Sequence, residues 1–297
     1  MVDALLSGQL LAAALVTGAL YALTALGLNL VYGTMRLLNV AHGDLVMIGA
    51  YVAFWAFTLL SLSPLLGLFA AAALAALFGL ALYRGLFRRL LEGGKAAQRL
   101  EANSLLLFFG VSVIVQNLAA LQFTGTPRGY QYLGDVYRWG NVAVTGNRIA
   151  AFAVAVIICA GVLAFLRFHV TGLAIKALIQ RRDAAAVVGV NVERVQVLAL
   201  CLGFASAAVA GALVSMTEQI SPFMGFPFTI AAFVVIILGG LGNITGGIAA
   251  GLLLGVLETY GVAITSSAYR SILVYGVFVL ILLLRPQGLL GGRRIVR

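Results

Sequence analysis

The sequence predicts an all-α, polytopic membrane protein, and three observations carry that prediction. Of its 297 residues, 63% are hydrophobic and 9% are charged, where a soluble domain carries about 25% charged residues. Residues 4–35, 102–127 and 219–257 contain no charged side chain, and an apolar run above about 18 residues reads as a membrane span. The alternating short strands that a membrane barrel requires are absent from the pattern. Residues 1–297 are therefore expected to form a single membrane domain, without room for a separate soluble one.

The first apolar run starts after Asp3, has no basic leader and is too long for a signal peptide, so it is read as a retained span near 8–34. Further spans are expected near 45–62, 65–87, 102–124, 149–166, 197–216, 228–241, 247–263 and 271–284. That makes nine segments, within a range of about eight to ten spans including broken helices. The connecting loops separate the basic residues. Arg36, Arg84, Arg88, Arg89, Lys95, Arg99, Arg167, Lys176, Arg181, Arg182, Arg194, Arg285, Arg293, Arg294 and Arg297 fall on one side. Arg128, Arg138, Arg148 and Arg270 fall on the other. Basic loops stay in the cytoplasm, which puts the C-terminus inside and the N-terminus outside. The net charge of +10 is then topological, and nucleic acid is not an expected partner.

Two stretches interrupt the apolar pattern: "GTMRLLNVAHGD" at 33–44 and "GGLGNITGG" at 239–247. Lipid cannot satisfy the backbone groups that such a break frees, so broken segments tend to line a cavity. Asn39, His42 and Gly43 in the first break, and Gly239, Gly240, Gly242 and Asn243 in the second, are the candidate pathway residues. Each break holds an Asn-x-x-x-Gly, Asn39 to Gly43 and Asn243 to Gly247, a hint of internal pseudo-symmetry. His42 is either a structural hydrogen-bonder or a lining or gating residue, and no second histidine lies at ligand spacing, so no metal is expected. Gln116 and Asn117 sit mid-span, for interior packing or substrate contact. Glu258 ends an apolar run, as a functional ionisable group or as a residue at the outer interface. Cys159 and Cys201 read as small hydrophobic residues. The long outer loop 125–148 carries Tyr130, Tyr132, Tyr137 and Trp139, either as interfacial aromatics or as a docking surface for an external partner.

The stretch "QRRDAAAVVGVNVERV" at 180–195 is too polar for hydrocarbon and, by the charge rule, cytoplasmic. Asp183 suits a helix N-cap and Gly189 a left-handed helix end. A helix this short is unstable alone in water. It needs a surface, either its own membrane domain or a groove on a cytoplasmic partner.

"DAAAVVG" resembles the EAA-x-x-x-G loop of ABC importer permeases, with Asp183 in place of Glu and without the Ile-x-Leu-Pro ending. "GALYALTALGLNLVYG", "LLNVAHGDLVMIGAYVA", "VVGVNVERVQVLAL", "AAVAGAL", "ILGGLGNITGGIAAGLLLGVLE" and "RPQGLLG" resemble, in order, the branched-chain amino acid permease family of the LivH type. The family's "NFAHG" stands here with Val40 for Phe, and loop 125–148 matches no part of the pattern. The resemblance implies a single permease domain with a cytoplasmic coupling loop at about 172–196, in which Arg181, Arg182, Asp183, Ala184, Ala185 and Gly189 meet an ATPase. It implies two ATP-binding cassette subunits, a second permease (a copy or a relative) and an external substrate-binding protein as partners in a bacterial cytoplasmic membrane.

The chain has no G-x-x-x-x-G-K-[ST] to hold phosphates, no GxSxG and no HExxH. It is expected to be a non-catalytic transport subunit without a cofactor. Import of branched-chain or related amino acids is the main expectation. A permease for urea or short-chain amides, and an ion-coupled secondary transporter, are the alternatives.

Overall fold

The computed structural model describes residues 7–88, 97–284 and 288. The chain folds as α1 (Gly8–Met35), α2 (His42–Leu60), α3 (Pro64–Leu82, running on through a π-helical turn at Tyr83–Phe87) and α4 (Ala97–Phe123). An antiparallel hairpin follows, β1 (Val136–Trp139) and β2 (Val142–Thr145). Then come α5 (Gly146–Phe168), α6 (Val170–Gln180), α7 (Arg182–Val187), α8 (Val192–Ser215), α9 (Gly225–Gly239), α10 (Ile244–Ile264) and α11 (Arg270–Leu284). Among the described residues eight helices are long and apolar enough to cross a membrane, and α9 is a shorter apolar helix. Together these nine correspond to the predicted spans, so the protein is a multi-pass helical membrane protein.

Local chemistry sets the ends. The Ser7 hydroxyl accepts from the Leu10 amide, Asn191 from Arg194 and Asn243 from Gly246, each satisfying a first-turn donor that has no helical partner. Pro64 opens α3, where its missing amide costs nothing.

α1 and α8 form the centre of the bundle, with α10, α9 and α5 around α1, and α2 and α3 around α8. Lipid tails are as apolar as the helices, so close approach rather than water exclusion holds such a bundle together. Small residues supply the approach. A side chain on Gly27 would overlap the Gly203 carbonyl, one on Gly49 would overlap Ala208, and one on Gly211 the Val46 carbonyl. α10 meets α1 in the same way, through Gly251 on Ala22 and Gly255 on Gly18. Leu106, Phe109 and Leu121 of α4 and Leu283 of α11 are exposed on the perimeter, as a lipid-facing surface requires.

The two ends of the bundle differ. At one, the Ala143 amide donates to Gln9 (2.7 Å), the Asn147 side chain to the Met216 carbonyl (2.7 Å), and Arg128 pairs with Ile220. Tyr130 and Tyr132 tuck in there, bonded to Ser215 (2.9 Å) and Ser63 (2.8 Å). Burial pushes the Tyr130 phenol up to about 12. Tyr137 and Trp139 stack on each other in the open. At the opposite end, Ile179 of α6 packs on Gly33, and Arg88 lies 3.7 Å from Glu193. Arg128, Arg138, Arg148 and Arg270 belong to the hairpin end. Arg36, Arg84, Arg88, Arg167, Lys176, Arg181, Arg182 and Arg194 belong to the α7 end. Arg89, Lys95, Arg285, Arg293, Arg294 and Arg297, the Arg99 side chain and most of "RPQGLLG" lie outside the described residues. The hairpin and α6 were not predicted: short strands in a polar loop, and a helix beside a charged one, leave little periodicity.

Candidate functional site

The first break is a doubled-back connection. α2 does not start where α1 ends. It starts beside the middle of α1, where Nε2 of His42 donates to the Thr24 carbonyl at 2.8 Å. Residues 36–41 climb back along α1 to reach that point. The first turn of α2 has no side-chain cap of its own. Instead the Gly43 amide donates to the Thr229 hydroxyl of α9 (2.9 Å), which donates in turn to the Val40 carbonyl (3.0 Å). Asn39 and His42 are fully buried. The Asn39 amide atoms, His42 Nδ1 and one Asp44 oxygen find no hydrogen-bond partner among the described residues. The other Asp44 oxygen accepts from Gln116 at 2.9 Å, and Gln116 also donates to Ser112 at 3.0 Å. Asn39, His42 and Asp44 thus gather buried polar atoms at the start of α2, next to the N-terminus of α9. Asn117 is exposed, and its amide donates to the Val113 carbonyl one turn back.

The second break is a clamp. Asn29, in the uncharged α1, accepts from the Gly242 amide and donates to the Asn243 carbonyl, both at 2.8 Å. Gly240 and Gly242 have φ of 91° and 83°, backbone that side chains resist. The loop ends where Asn243 caps α10. Gly242 and Asn243 line a cavity of about 500 Å³ shared with Arg167, Lys176 and Gln180. Gly43 and Gly239 are close-packing positions: a side chain would strike the Gly225 carbonyl and Gly246 respectively. The expected pseudo-symmetry does not extend to geometry. Asn243 is an N-cap, whereas Asn39 precedes the N-cap Ala41 of α2 and its side chain bonds to nothing described. The two breaks are instead united by α1, which holds one through Thr24 and the other through Asn29.

Glu258 is buried, towards the hairpin end of α10. It is 4% exposed, accepts from the Tyr21 phenol at 2.5 Å and pairs with Arg270.

At the basic end, α7 carries Arg182, Asp183, Ala184, Ala185 and Ala186 between an extended Arg181 and Gly189 at φ 89°. Gly189 ends the segment in the left-handed conformation, as predicted. Asp183 is not the N-cap: Arg181 occupies that position, and Asp183 lies in the first turn, where a carboxylate still favours the helix dipole. Ala185 is not part of an outward apolar face either. It is 3% exposed and packs inward, while Val187 and Val188 are 87% and 77% exposed.

A family profile described as "Branched-chain amino acid transport system / permease component" matches residues 10–282. The chain belongs to this family. It is 32% identical over 292 residues to the high-affinity branched-chain amino acid transport system permease protein BraD of Pseudomonas aeruginosa, covering 95% of both chains. It is 30% identical to the LivH permease protein of Escherichia coli K12 over 92% of both. It is 28% identical to the LivM permease protein of the same organism, over 91% of this chain and 68% of that one. No solved structure gives a significant match. The protein is thus a membrane-spanning permease component, and the cluster, the clamp and α7 are features of a transport subunit.

Asn29, Thr229 and Tyr21 went unnoticed in the sequence, although they hold the breaks and the buried acid. A lone amide in an uncharged span was the available signal for Asn29.

Proposed function

We propose that this permease is one membrane subunit of an ATP-driven importer of branched-chain or related amino acids, working by alternating access. The observation that carries the reading is α7. Two large apolar side chains, Val187 and Val188, stand exposed on a short helix at the basic end of the bundle, and Ala185 roots that helix in the membrane domain. Apolar side chains in such a place suit a groove on a cytoplasmic ATPase. A packed, rooted helix moves as a body rather than deforming. Arg181 and Arg182, at its N-terminal end, face the same surface, and Asp183, Ala184 and Gly189 shape its short path.

Two ATP-binding cassette subunits supply the energy. Likeness to both LivH and LivM supports pairing with a second permease. The basic residues at the α7 end support a cytoplasmic α7, with the C-terminus inside and the N-terminus outside a bacterial inner membrane. An external binding protein then meets the hairpin end, where Tyr137 and Trp139 are free. The pathway runs past Asn39 and His42 and past the loop that carries Gly240, Gly242 and Asn243, while Gly43 and Gly239 let the neighbouring backbones pack.

The test is reconstitution with the partner permease, the ATPases and the binding protein in proteoliposomes. ATP-dependent uptake of leucine, isoleucine and valine is expected. Uptake of urea or acetamide alone, or leucine uptake driven by an ion gradient without ATP, refutes the reading.

A further inference from the structure

At the hairpin end a cavity of about 280 Å³ opens between α1, α9 and α11, near the lower end of small-molecule sites, roughly 300 Å³ upward. Its walls are of two kinds. One is polar: Arg270, Glu218, Ser271 and the edge of Tyr21. The other is apolar, with Phe228 and Val274 facing it. Behind the polar wall lies the buried Glu258, held by Tyr21 and paired with Arg270. Arg270 also reaches towards Glu218, at 3.8 Å. One guanidinium is thus shared by two carboxyl groups. An ionisable group inside a membrane domain is costly and marks a functional site by default.

We propose that this cavity is an entry site for a zwitterionic amino acid with an apolar side chain. The pairing with Glu258 fixes Arg270 in place, and its remaining N–H groups suit an α-carboxylate. Glu218, half-exposed and only loosely paired, takes the α-ammonium. The side chain lies against Phe228 and Val274. Both charged ends of the solute are matched before it leaves water, which offsets their desolvation. The site rests on the amino-acid import reading, and places the first contact after release from the binding protein on this chain.

The experiment uses the complete reconstituted complex and a leucine analogue carrying a photoreactive diazirine. After illumination, adducts are mapped by mass spectrometry. Adducts on peptides containing Phe228 or Val274, quenched by excess leucine, are expected. Glu218→Gln should lower initial leucine uptake at limiting leucine about tenfold, the loss of one charge-assisted hydrogen bond. Ser271→Phe, at an exposed position that fills the mouth, should lower it at least as much, with the yield and melting temperature of the complex retained. Unaltered uptake in both variants, with no quenchable adduct in the cavity, overturns the site while leaving leucine import standing. Absence of leucine uptake by the unaltered complex overturns the import reading, and the site with it.

Discussion

The amide of Gly43 donates to the hydroxyl of Thr229, 2.9 Å away on another helix. The start of α2 is therefore capped from α9, and the position of α2 depends on that shorter helix. Thr229→Val keeps the shape and removes both bonds. Each buried group left unsatisfied costs about 1–3 kcal/mol, so the melting temperature of the purified protein should fall clearly. Gly43→Ala should be worse, because the added methyl meets the Gly225 carbonyl directly. An unchanged melting temperature in Thr229→Val would show that water replaces the hydroxyl.

Asn29 offers a finer dissection. Asn29→Asp keeps the acceptor for the Gly242 amide and loses the donor to the Asn243 carbonyl, and Asn29→Leu loses both. Hydrogen exchange at the Gly242 amide should rise strongly in the leucine variant and less in the aspartate variant. Equal exchange in both would mean that packing of Gly33 and Ile179, not the amide clamp, orders this loop.

The proposed sidedness rests on the basic residues gathered at the α7 end. In a background with Cys159 and Cys201 replaced by alanine, a cysteine at Val188 should be shielded from an impermeant thiol reagent in intact cells. One at Arg138, on the exposed hairpin, should react. The reversed pattern refutes the orientation.

The spans were legible in the sequence because a long uncharged run without strand alternation can satisfy its backbone in lipid only as a helix. Gly189 was legible for a similar reason: few residues but glycine end a helix in the left-handed region. Ala185 was not, because a run of small residues says nothing about which side faces inward. Gly43 looked like a lining position and is a contact between backbones. Its partner carbonyl at Gly225 lies far away in the chain, and only the fold brings the two together. Thr229 was invisible for the same reason, as one hydroxyl in an apolar helix carries no pattern. The pair Glu258 and Arg270 was half legible: the acid stood out in its apolar run, but the arginine read only as a topological charge.

The exposed pair on α7 gives the most direct test of coupling to an ATPase. The measurement is the initial rate of ATP-driven leucine uptake by reconstituted complexes carrying Val187→Glu together with Val188→Glu, with the melting temperature of the membrane subunit measured alongside. Burying two unpaired carboxylates in an interface costs several kcal/mol. Uptake should fall below about one tenth, with ATPase association weakened and the melting temperature unchanged. Ala185→Glu, in contrast, should lower the melting temperature itself, since Ala185 is buried within the subunit. Uptake and ATPase association at the unaltered level in the double valine variant would contradict coupling through α7.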